Sequence, residues 1–255
     1  MEKLTPLFTL RHVGVNLDGR QVLDGLDLEI MKERTTFVMG RSGAGKTTLL
    51  RLFNRLNECL PLCTTTGEVL LHLDDGPVRP YADQIPLPEL RRLVGMVFQH
   101  PNVLPMSIEN NIVMPLVTVH GLSHKAAARA AEQALQEAHL WTEVRDRLTS
   151  DARTLSGGQQ QRLCLARTLA MQPAVLLLDE PTSSLDYKAA KGIEELLATL
   201  KSRYTLVVVS HSLDFALSLA DDIIVLRQGR AVQPLTPREL GAKRETLRLE
   251  LEAMY

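Results

Sequence analysis

The sequence carries almost no excess charge: 29 Lys and Arg against 30 Asp and Glu leave a formal net charge of −1. Its arginines are scattered rather than run together. Neither nucleic acid nor an anionic membrane surface has an overall electrostatic reason to bind it, so no nucleic-acid partner is expected. Long apolar runs are missing too. The densest, at 175–178 and 206–209, fall far short of the roughly 20 residues that a spanning helix needs. Any membrane role must come through a partner. The opening MEKLTPLFTLRHV lacks the apolar stretch and small-residue cleavage site of a secretion signal. Cysteine is sparse, with only Cys59, Cys63 and Cys164. Cys59 and Cys63 could make half a metal site, but no second Cys/His pair stands at zinc-like spacing. Three reduced thiols of a cytosolic protein are expected. Aromatics amount to 4%. What is there, 45% hydrophobic and 23% charged residues over 255 positions, is enough to bury the core of one large domain or two small ones.

Short strand-like runs alternate with helical patterns, which predicts an α/β fold with a largely parallel sheet. LDGLDLEI alternates Leu23, Leu26, Leu28 and Ile30 with polar residues, as a half-buried antiparallel strand does. TTFVMG reads as a strand ending on Gly40, and Leu49, Leu52, Phe53 and Leu56 then fall at helical spacing. GEVLLHLDDG is another strand closed by a turn, and LVGMVF, AVLLLD and TLVVVS are buried strands. Residues 123–140 form a helix with Ala127, Ala130, Ala131, Ala134, Leu135 and Ala138 on one face. DDIIVLRQGRAV reads as a hairpin around Gly229, and 239–254 as a charged helix. Strands and glycine loops gather at both ends of the chain. The expected organisation is one domain, with an α/β core over 1–101 and 171–255 and a helical subdomain inserted at 102–170.

GRSGAGKTT, residues 40–48, fits the pattern of a phosphate loop between a strand and an amphipathic helix. The physics suits ATP. Glycines at 43 and 45 let backbone N–H groups turn inward, and the next helix presents its N-terminal donors. Gly40, Arg41, Ser42, Gly43, Ala44, Gly45 and Thr48 make the cradle. Lys46 can reach the β- and γ-phosphates, and Thr47 can offer its hydroxyl to Mg²⁺. AVLLLDEP ends an apolar strand on two carboxylates, which need a cation at a buried strand end. Successive strand side chains point oppositely, so the two acids should differ in role: Asp179 toward Mg²⁺, Glu180 as general base for the attacking water.

With these motifs the sequence resembles the ATP-binding-cassette (ABC) family over nearly its whole length. The ordered set is specific: GRSGAGKTT, Gln99 in GMVFQ, LSGGQ at 155–159, LLLDEP, SSLD at 183–186, and His211 in VVVSH. The resemblance implies a P-loop core of the ABC ATPase type with an antiparallel β-subdomain and an inserted helical subdomain. It implies a head-to-tail homodimer that sandwiches two ATP molecules. Ser156, Gly157, Gly158 and Gln159 of each chain would face the partner's γ-phosphate. Gln99 would contact Mg²⁺ or the lytic water, and His211 the γ-phosphate. Asp186 would reach across the interface, although an acid there also reads as a helix N-cap. One element departs from the family pattern. Leu17, in VNLDGRQVL, stands about where an aromatic usually stacks on adenine, so the stacking contribution should shrink.

LLRLFNRLNE, VGMVFQHPNVLPMSIENNI, LSGGQQQRLCLAR, HLWTEVRDRL and IEELLATLK look like the ATPase subunit of bacterial phosphate importers, while GPVRPYADQIPLPEL diverges. The implied protein is a peripheral ATPase on the cytoplasmic side of the inner membrane, with permease chains as partners and a solute-binding protein in the full transporter. Another small polar solute, such as an amino acid, is the nearest alternative cargo. A soluble ABC ATPase of translation or DNA repair is the alternative of a different class; the double cassettes, zinc modules or coiled-coil insertions usual there are not in this sequence.

Overall fold

The computed structural model describes residues 5–235. The charged helix expected over 239–254 lies outside them. In chain order the strands are β1 (Pro6–Leu17), β2 (Arg20–Met31), β3 (Thr35–Met39), β4 (Cys63–Leu73), β5 (Gly76–Val78), β6 (Val94–Val97), β7 (Val175–Asp179), β8 (Thr205–Val209), β9 (Asp222–Arg227) and β10 (Arg230–Leu235). The helices are α1 (Lys46–Phe53), α2 (Leu87–Leu93), α3 (Asn110–His120), α4 (His124–Glu137), α5 (Trp141–Val144), α6 (Gly157–Ala170), α7 (Tyr187–Leu200) and α8 (Leu213–Leu219). The described residues form two compact units, 5–91 with 203–235, and 92–202.

The first unit holds an antiparallel sheet in the order β2-β1-β4-β5. The alternation of Leu26, Leu28 and Ile30 puts all three in the core, as half-buried strands require. β1 itself is hidden from a periodicity reading. Leu7, Phe8, Thr9 and Leu10 are buried in succession, and the register shifts between Leu10 and Val13, where His12 takes φ 48°. Asp18 and Gly19 both take positive φ (49° and 77°), as a two-residue hairpin turn demands. In the same unit β3 runs parallel to β8 and β9, and β10 returns antiparallel to β9 through Gln228 and Gly229.

Arg34 fastens the start of β3 to β9. Its guanidinium donates to both Asp222 carboxylate oxygens at 2.7 and 2.9 Å and to the Asp221 carbonyl at 2.9 Å. The Phe8 and Phe53 rings meet at 4.5 Å, and Phe37 meets Phe215 edge-on at 5.1 Å. α1 stops at Phe53, short of the expected Leu56. Arg55 is left-handed at φ 56°, and a separate 3-10 turn starts at Leu56.

In the second unit β6 and β7 pair in parallel. α4 begins at Ser123, whose hydroxyl accepts the Ala126 N–H, and it buries the expected alanine and leucine face, with Ala130 half-buried. Fully buried Asn111 accepts the Leu104 N–H at 2.8 Å and donates to the Ser107 carbonyl at 3.0 Å. It thereby sews the irregular 104–107 stretch onto α3. Among the described residues, no helix is long and apolar enough to cross a membrane.

Candidate nucleotide-binding site

In the first unit β3 is buried at every residue and is followed at once by Gly40. Gly40, Gly43 and Gly45 all take positive φ (145°, 78° and 97°). A Cβ on Gly40 would strike the Leu226 carbonyl oxygen, and one on Gly45 would come within 2.8 Å of Leu23. At Gly43 the side is open, and the left-handed backbone alone favours glycine. Arg41 and Ser42 are exposed; Ala44 is buried and donates its N–H to the Arg41 carbonyl at 3.1 Å. α1 then starts with Gly45 as its N-cap, and no side chain caps it. Lys46 Nζ lies back over the loop, donating to the carbonyls of Gly40 at 2.7 Å and Arg41 at 3.0 Å. Thr47 and Thr48 are half-buried, and Asn57 holds the Thr48 carbonyl at 2.9 Å.

His211 belongs to the same edge. Val38 pairs with Val209 in parallel strands, and Ser210 N–H reaches the Val38 carbonyl. Both chains therefore leave the sheet at one end, one into the phosphate loop and one into exposed His211. Leu17 sits half-buried just before the Asp18-Gly19 turn, opposite Cys63 on β4. It shares a face of β1 with Val15, and Val15 opposes Leu23, the residue against Gly45.

The second unit carries the other residues. Asp179 closes β7 at 5% exposure, while Glu180 is half-buried and left-handed at φ 47°. The backbone thus reverses between the two acids, an uncommon conformation for a glutamate and one that clusters at functional sites. Val97 pairs with Leu178, so Gln99 and Glu180 emerge at the same end of that pair of strands. A hydroxyl joins them. Gln99 Nε2 donates to Ser183 Oγ at 3.1 Å, and Ser183 Oγ donates to the Glu180 carbonyl at 3.1 Å. Ser184 Oγ donates to the Gln99 carbonyl at 3.2 Å. The motif reading of SSLD singled out only Asp186; the adjacent hydroxyls just past the carboxylates were the signal for this bridge. Asp186 is exposed and caps α7, accepting the Ala189 N–H at 2.9 Å.

The signature loop opens α6. Ser156 is its N-cap, and Ser156 and Gln159 form a reciprocal capping box. Ser156 and Gly157 are exposed, and Gly158 is buried. A Cβ on Gly158 would come within 2.8 Å of the Ala189 Cβ on α7. This glycine is demanded by packing inside its own chain, whereas Gly157 has only Leu185 near, at 3.7 Å from an added Cβ. Gln161, given no role by the motif reading, is fully buried and donates to the Phe98 carbonyl at 3.1 Å. It ties α6 to the segment that carries Gln99.

A family model described as "ABC transporter" matches residues 23–183, more than half of the chain. The chain is 42% identical over 225 residues to "Phosphate import ATP-binding protein PstB" of Shewanella denitrificans, covering 88% of this chain and 81% of the relative. It is 43% identical over 214 residues to the protein of the same description in Desulfitobacterium hafniense, covering 84% and 81%. Its fold is similar to a dimeric post-hydrolysis structure of the ATP-binding cassette MJ0796 bound to ADP and Pi, with a TM-score of 0.73, 30% identity, and 91% and 99% of the two chains covered.

Proposed function

The chain belongs to the ABC transporter family, and from that premise we propose that it is the ATP-hydrolysing subunit of an importer of inorganic phosphate, acting as a head-to-tail homodimer. One observation carries the ATPase reading: an uncapped helix N-terminus behind three left-handed glycines, with Lys46 drawn across the loop. It is a phosphate cradle whose own carbonyls hold the lysine. Phosphate as cargo is supported by 42–43% identity to phosphate-import ATPases over most of both chains.

ATP enters as substrate. Lys46 exchanges the Gly40 and Arg41 carbonyls for the β- and γ-phosphates, and residues 40–48 wrap the phosphates with backbone N–H groups. Leu17 packs on the base. His211 hydrogen-bonds the γ-phosphate and fixes its direction. Glu180 takes the proton of a water that Gln99 helps to place; the water oxygen bonds to the γ-phosphorus as its bond to the bridging oxygen of ADP breaks. Ser156, the backbone at Gly157 and Gly158, and the Gln159-capped turn face the ATP of the second copy, and Asp186 also meets that copy.

Among the described residues, no group of three or more His, Cys, Asp or Glu could hold a metal ion by itself. The donors proposed for Mg²⁺ are the Thr47 hydroxyl, the Gln99 amide oxygen and the Asp179 carboxylate. This hard-oxygen set fits an ion that relies mainly on substrate phosphates and water. When bound, Mg²⁺ neutralises charge that builds on the transferred phosphoryl group.

ATP closes the dimer and hydrolysis reopens it, which drives permease chains between access states. The subunit sits peripherally on the cytoplasmic side of the inner membrane, with a solute-binding protein completing the transporter. The test is purification from detergent-solubilised host membranes, then ATPase assay in proteoliposomes with added phosphate. Two multi-span chains and phosphate-stimulated turnover are expected. Stimulation by an amino acid instead overturns the cargo, and recovery only with ribosomes or DNA overturns the transport role.

A further inference from the structure

Gln159 closes the capping box of α6 by accepting the Ser156 N–H on Oε1 at 3.0 Å. Only the amide oxygen can accept, so the bond needs one flip of the side chain, and a partner on the nitrogen fixes that flip. Here Nε2 donates to Glu143 Oε2 on α5 at 2.7 Å. The other Glu143 oxygen accepts from Arg162 at 2.6 Å, and that same guanidinium nitrogen donates to the His139 carbonyl at 2.7 Å. Arg162 lies one helical turn past Gln159 and so shares its face. Arg147 reaches Gln159 Oε1 at 3.4 Å and the Glu143 carbonyl at 3.3 Å. Burial opposes ionisation of Glu143, but the bonds from Arg162 and Gln159 and the charge of Arg147 outweigh it and hold its pKa below the usual range. One carboxylate against two guanidiniums also leaves the cluster net positive, behind a helix end that is to meet phosphate.

We propose that Glu143 is the positioning residue of the signature loop: it locks Gln159, and through the capping box the Ser156 hydroxyl and the Gly157 N–H group, in the direction that receives the partner copy's ATP. This rests on the proposed reading that residues 156–158 face that ATP.

The test uses the Glu180→Gln protein, in which ATP-bound dimers are expected to accumulate, and reads the ATP concentration for half-maximal dimerisation by sedimentation. Fluorescent-ATP binding to dilute monomer and the melting temperature are read alongside. Glu143→Ala is expected to need about tenfold more ATP for dimerisation, the worth of one charge-assisted hydrogen bond, with monomer binding unchanged. Glu143→Gln keeps an acceptor without charge and is expected to shift the midpoint by about threefold. A Glu143→Ala midpoint equal to the parent's overturns the proposal, even if melting falls. If that variant does not fold, an unshifted Glu143→Gln overturns it. Ser156→Arg is the control: if it too dimerises normally, the placement of the signature loop is wrong and not Glu143 alone.

Discussion

Two loops rich in glycine open helices in this protein, and they are built oppositely. At α1 the glycines lie before the helix and take positive φ, and no side chain caps the first turn. At α6 the glycines are the first residues of the helix, and Ser156 with Gln159 caps them. The phosphate loop thus leaves its helix end without a side-chain cap, a geometry that suits an anion. The signature loop is finished without one. Its capping box is complete and anchored, so its remaining donors form a fixed surface, which suits the proposed contact with a ligand held by the second copy. Glycine serves backbone conformation in the first loop. In the second it serves close packing at Gly158, against Ala189, and an uncovered backbone at Gly157.

The largest break in this contrast comes from paired variants. Lys46→Ala should reduce turnover by about 10²–10³-fold, as removal of a charge-stabilising donor does, and should weaken ATP binding to the monomer. Ser156→Arg should stop turnover equally while monomer binding stays intact. Binding titrations beside steady-state ATPase separate the two, and equal loss of binding in both would merge loops held distinct here. Next in size is Gly158→Val, which forces side-chain atoms against Ala189. An expected cost of about 1–3 kcal/mol should appear in urea unfolding, with ATP binding at the phosphate loop retained. A variant as stable as the parent would show that α6 and α7 do not need this contact. The smallest effect belongs to Leu17→Trp. Restored stacking should tighten ATP binding by about 0.5–1.5 kcal/mol and sharpen preference over GTP. No change in either would place the base away from Leu17.

Much of this was legible before the fold. Strand-loop-helix at residues 35–53 needs only an apolar run, glycines and helical spacing, all local in sequence. The hairpin at Gly229 and the alanine-rich helix that starts near Ser123 are equally local. β1 was not legible, because a bulge at His12 breaks its alternation, and the end of α1 was misjudged because Arg55 turns left-handed before Leu56. Ser183, Gln161 and Glu143 escaped for another reason: their partners lie 84, 63 and 16 residues away. No window along the chain shows such pairs.

By itself the sequence determined the chemistry on offer: a phosphate loop, a carboxylate pair, a signature serine and glycines, each fixed by residue type at short spacing. Only the tertiary structure decided how those groups are held. It gave Gly158 a packing duty, Gln99 a serine link to the Glu180 backbone, and Gln159 an anchor on Glu143. The physical reason is the short range of the forces involved. Hydrogen bonds and close packing act over a few ångströms, and only the folded chain brings distant residues within that reach.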